Sequence, residues 1–72
     1  MFGRGGLKHV STPHLKALLR HLHRGDLPCP IDRVGLATVG MLPIADDLEH
    51  LRGLDRTATQ AVLVAVLAER LP

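Results

Sequence analysis

The sequence predicts an all-α protein: a small bundle of four or five helices with a hydrophobic C-terminal helix at its centre. Three observations carry this reading. Leu15, Leu18, Leu19 and Leu22 recur at i, i+3, i+4 and i+7, the spacing of one helix face. Prolines and glycines punctuate the chain at helix-length intervals, with Pro13, Pro30 and Pro43 as starts and Gly25, Gly40 and Gly53 as stops. Near the end, Ala61 to Ala68 is an unbroken run of eight apolar residues. A helix that is apolar all round is one that is buried all round. The Val-rich stretch Gln60–Ala68 has strand formers in it. It lacks flanking turn residues, however, and Ala68 and Glu69 continue a helix.

The 72 residues form one domain. Residues 1–8, with Gly3, Gly5 and Gly6, read as a flexible arm holding Phe2, the only aromatic residue; residues 9–72 read as a single helical domain. A chain this short buries only ~60% of its unfolded surface, so it is marginal without a metal, a staple or a partner. The single cysteine excludes an internal disulfide and fits a reducing compartment. The first ten residues lack the apolar core of a secretory signal. Eight apolar residues fall well short of the ~20 that cross a bilayer as a helix. The expectation is a cytoplasmic protein with no membrane partner. The ending Leu71-Pro72 is compatible with the front of a longer protein.

In the first helix, Ser11 or Thr12 caps and Pro13 occupies the opening turn. Gly25 stops it. Asp26 to Pro30 is a stiff connector, because two prolines two residues apart exclude helix. Pro30 opens a second helix over Ile31–Val39, with Ile31, Val34, Leu36 and Val39 as its apolar residues. Gly35 inside it suits a close approach by another backbone. Pro43 opens a third α-helix to about Arg52, with Ile44, Leu48 and Leu51 as its inner face at i, i+4 and i+7. Asp55 caps the fourth, from Arg56 to about Arg70, where Glu69-Arg70 returns the chain to water.

Residue chemistry excludes more than it suggests. The pair His21 and His23 does not share a helix face, and His14 lies two turns from His21. Neither these, His50 nor Cys29 follow a zinc-ligand spacing. Asp46 and Asp47 are adjacent and point apart on a helix, unlike an acid–base pair. Ser11 is a cap, and no Gly-rich phosphate loop follows a strand. No enzyme, metal or cofactor is expected.

Charge is more informative. The net charge of +2 hides five cations and no acid in residues 1–25, against four arginines and seven acids in residues 26–72. Lys16, Arg20 and Arg24 form one stripe at i, i+4 and i+8 of the first helix, while Asp46, Asp47 and Glu49 cluster on the third. Oppositely charged halves fit an anionic partner or head-to-tail copies. If the first three helices cover the leucine side of the fourth, Val62 and Val66 are left for a partner.

The segment Leu51-Arg52-Gly53-Leu54-Asp55-Arg56-Thr57-Ala58 and the echo Val39-Gly40-Met41-Leu42-Pro43-Ile44-Ala45 fit Gly-h-x-x-x-Ala. This resembles helix-hairpin-helix domains, which implies binding of the DNA backbone without reading sequence. The family has a second glycine where this chain has Asp55, and an acid there repels phosphate.

Two functional expectations follow. The first is a non-enzymatic helical protein–protein interaction domain, an adaptor or self-assembly module. Its contact residues are Val62 and Val66, the cations Lys16, Arg20 and Arg24, and the acids Asp46, Asp47 and Glu49. Its partner is a protein or a second copy. The alternative is sequence-independent DNA or RNA binding through the first helix and the N-terminal arm.

Overall fold

A computed structural model of the chain describes residues 6–71. Five helical elements follow one another: a 3-10 turn over Gly6–His9, α1 over Thr12–Arg24, α2 over Arg33–Thr38, a 3-10 helix over Leu42–Leu51, and α3 over Arg56–Glu69. No strand occurs among the described residues. The first five residues of the expected arm, with Phe2 and Arg4, lie outside the described residues. Leu7 is buried, so the chain is already part of the fold by Gly6.

The punctuation acts largely as its chemistry dictates. Ser11 caps α1, its Oγ accepting from His14 N at 3.3 Å. Gly25 ends α1 in the left-handed region at φ 86°, and the amides of Gly25 and Asp26 donate to the last free carbonyls, His21 O and Leu22 O. Leu15, Leu18 and Leu22 are fully buried and Leu19 is half-buried. Asp55 caps α3, its Oδ1 accepting from Ala58 N at 2.8 Å.

The second helix is shorter than its pattern predicts. It starts at Arg33, because Asp32 Oδ1 accepts from Gly35 N at 2.7 Å and so caps ahead of it. Pro30 remains in the connector. Gly35 is buried against the connector: a Cβ there would lie 3.3 Å from Leu27 Cδ1 and 3.5 Å from Pro28 Cδ. The close approach expected at Gly35 is therefore made by side chains rather than by backbone.

The third helix departs most from expectation. Leu42–Leu51 is 3-10 throughout, not α. Such runs rarely exceed four residues. Residues three apart eclipse in a 3-10 helix, and here Leu42, Ala45, Leu48, Leu51 and, just beyond, Leu54 recur at every third position. Leu48 and Leu51 are buried and Ala45 and Leu54 pack beside the core. A period of three thus turns Ala45, Leu48 and Leu51 inward in one row, with Leu42 exposed at its open end, whereas a period of 3.6 would carry Ala45 out of line.

α1 packs along α3, while the 3-10 helix packs against both α2 and the N-terminal 3-10 turn. The core they enclose is almost wholly leucine, with Val10, Ile31 and Met41 beside it. Arg70 ties the ends of the chain together. Its guanidinium donates to Leu7 O at 2.9 Å and to Thr12 Oγ1 at 3.1 Å. Arg70 is therefore half-buried, and only Glu69 of the expected solvent-facing pair is exposed. The Cα radius of gyration, 11.2 Å, matches what a compact chain of this length gives.

Candidate functional site

α3 is covered on one side. Thr59 and Leu63 are its only fully buried residues, and Val62, Val66 and Leu67 are half-buried against the core. Ala61, Ala65 and Ala68 are exposed, and so is Val64, at 54%. α1 and α3 run antiparallel, with the start of α1 beside the end of α3 at the Arg70–Thr12 bond. Between them lies an apolar groove of about 340 Å³, lined by the half-buried Leu19 and Leu67 and the exposed Val64, Ala68 and Leu71. Leu71 is 72% exposed. Thr12, Lys16 and Arg70 complete the lining.

The residues predicted to make contacts fall into three places. Val62 and Val66 pack on the core cluster, on the flank of α3 away from the groove. Lys16, Arg20 and Arg24 are exposed on α1, and among the described residues none is ion-paired. Lys16 lines the groove, and Arg20 lies one turn further along the same face. Asp46 and Glu49 are exposed on the 3-10 helix and Asp47 is half-buried. The acids are partly neutralised within the fold. Asp46 Oδ1 meets Arg33 Nη2 at 2.6 Å, and Glu49 pairs with Arg52 at 3.5 Å.

The sequence reading missed Val64, Leu67 and Leu71, the residues that form the groove with Leu19. The signal was present: Val64, Leu67 and Leu71 stand at i, i+3 and i+7. It was masked because every neighbouring position from Ala61 to Ala68 is also apolar. Only the placement of α1 decides which stripe of α3 stays open.

A second cleft of about 350 Å³ lies between α2 and the 3-10 helix, with Asp32, Arg33, Glu49 and Arg52 at its walls. These charges already have partners within the chain: Asp32 caps α2, and the two arginines pair with Asp46 and Glu49. His21 Nδ1 lies 2.9 Å from Asp26 Oδ1 beyond the end of α1. Among the described residues no three His, Cys, Asp or Glu side chains gather as a metal site, and no helix is long and apolar enough to cross a membrane.

The segment resembling a helix-hairpin-helix turn has Gly53 at φ 80°, followed by Asp55. The Asp55 carboxylate occupies the Ala58 amide. That amide belongs to the helix N-terminus that a backbone phosphate would approach. Compared with family models, with curated proteins and with solved structures, the chain matches none.

Proposed function

We propose that this chain is a non-enzymatic protein-interaction domain that docks a partner in the groove between α1 and α3. The supporting observation is the pair Val64 and Leu71, two large aliphatic side chains left open on the rim of an apolar groove. Single exposed aliphatic residues are common, but residues gathered along a concave apolar strip mark a docking surface. Lys16 and Arg20 beside the groove favour an acidic partner. An amphipathic helix with acids flanking its apolar stripe has the matching shape and charge.

A test is available without knowing the natural partner. A synthetic amphipathic peptide with a Leu stripe and Glu flanks is titrated into isotope-labelled protein. The methyl resonances of Leu19, Val64, Leu67 and Leu71 should shift together, and Val64→Asp should abolish the response. Shifts spread over the whole surface, or none, would remove the reading.

A second reading, sequence-independent nucleic-acid binding, draws support from the row Lys16, Arg20 and Arg24, exposed and without an ion pair among the described residues. Random-sequence duplex DNA in the same titration distinguishes it. Shifts confined to α1, weakening linearly in log affinity with log salt, would favour this second reading over the first.

A further inference from the structure

Four large hydrophobic residues are exposed among the described residues; two of them line the α1–α3 groove and two do not. Val64 and Leu71 belong to the groove, which Lys16 of α1 also lines. Val34, 76% exposed, and Leu42, 42% exposed, stand on α2 and the 3-10 helix, the elements that carry the acids. Val34 follows Arg33, whose guanidinium reaches Asp46, and Leu42 opens the 3-10 helix that holds Asp46, Asp47 and Glu49. With their caps those two elements bear four carboxylates, Asp32, Asp46, Asp47 and Glu49, against Arg33 and Arg52, which pair with Asp46 and Glu49, whereas α1 bears three cations and no acid. Each apolar group thus sits in a field of opposite sign.

We infer that the groove's occupant is a second copy of this chain. Val34 and Leu42 of one copy enter the α1–α3 groove of the next, and Lys16 in that groove, with Arg20 one turn beyond it on α1, faces Asp46, Asp47 and Glu49. This rests on the groove reading above and names its partner. The two surfaces share no residue, so the contact is head-to-tail. Such a contact leaves one groove and one acidic face open at the two ends, and growth continues as a filament unless the rotation closes a ring. Two copies placed groove to groove would instead bring Lys16 and Arg20 against their own kind. Like charges disfavour that arrangement.

Sedimentation of the whole chain over a range of concentrations, at low and high ionic strength, tests the inference. Wild type should grow in mass with concentration and shrink with salt. Val64→Asp and Val34→Asp should each be monomeric alone. Mixed, they retain one intact groove and one intact acidic face, so a one-to-one dimer should form and nothing larger. Arg20→Glu and Asp47→Lys should each weaken association about tenfold or more, and mixing the two should restore it. All four positions are at least partly open to solvent, and circular dichroism establishes that each variant is folded; Leu71→Asp repeats the groove test at a more exposed position. A wild type that is monomeric at every concentration overturns the inference, as does a Val64→Asp and Val34→Asp mixture that stays monomeric. The two readings fail separately. A monomeric wild type whose groove still binds the acidic peptide removes the second copy and leaves the groove. A monomeric wild type that ignores the peptide removes both.

Discussion

Arg70 shows how much one side chain decides in a chain this small. Charge alone assigns it to solvent, and its position at the end of α3 suits a cation at a helix C-terminus. In the fold its two guanidinium bonds join the last turn of α3 to the start of α1 and to the N-terminal 3-10 turn. Arg70→Ala removes both and leaves the Leu7 carbonyl with only its bond from Val10 N. Hydrogen bonds from charged donors contribute more than neutral ones, so a loss of roughly 2 kcal/mol is expected in urea unfolding. Arg70→Lys keeps the charge but not the two-pronged geometry, and should recover only part of that loss. Gly6 is another residue whose identity the fold demands. It sits at φ 48°, and a Cβ there would lie 3.0 Å from His50 Nδ1. Both the left-handed backbone and the close approach select glycine.

At the scale of elements, α3 divides sharply between buried and open faces although its sequence is nearly uniform. Leu63 is fully buried while its neighbour Val64 is 54% exposed. Leu63→Ala should therefore destabilise by about 3 kcal/mol, as core truncations do. Val64→Ala should stay within about 0.5 kcal/mol, as surface changes do. Chemical denaturation of the two variants side by side checks the orientation of α3, and equal effects would mean that the helix is rotated. The 3-10 helix gives the complementary case. There the sequence carried a pattern of period three through Leu42, Ala45, Leu48, Leu51 and Leu54. The i, i+4, i+7 spacing of Ile44, Leu48 and Leu51 fits an α-helix on its own. In the fold Leu48 and Leu51 are buried and both Ile44 and Ala45 pack beside the core, while Leu42 is exposed.

For the whole molecule, the contacts form two groups: α1 with α3, and the 3-10 helix with α2 and the N-terminal turn. A single cluster of core leucines runs through both, and the Arg70 bonds bridge them. Neither group encloses a core of its own, so unfolding should occur in one cooperative step. Circular dichroism and methyl resonances should report the same urea midpoint, with a slope of about 1 kcal/mol/M for a chain of this size. Separate midpoints would show that the two groups melt independently. The charge distribution belongs to this scale as well. Only the assembled fold sets the cations of α1 beside an apolar groove while the acids stand on other elements. That division gives the proposed head-to-tail contact its polarity.

The sequence by itself determined the helical class, the Ser11 and Asp55 caps, the Gly25 stop and the inward stripe of α1. These rest on local chemistry: Ser11 and Asp55 satisfy the amides within three residues of them, and Gly25 accepts a left-handed backbone that other residues resist. Its charge split was equally legible, since a count along the chain requires no folding. The tertiary structure alone decided which side of α3 is open, that Leu42–Leu51 winds as a 3-10 helix, and that Arg70 turns inward. For α3 the reason is degeneracy. Where eight consecutive residues are all apolar, every face satisfies the hydrophobic effect equally well, and the choice passes to whatever packs against it. α1 packs along α3, Leu63 is fully buried, and Val64 and Leu71 are left at the rim of the groove.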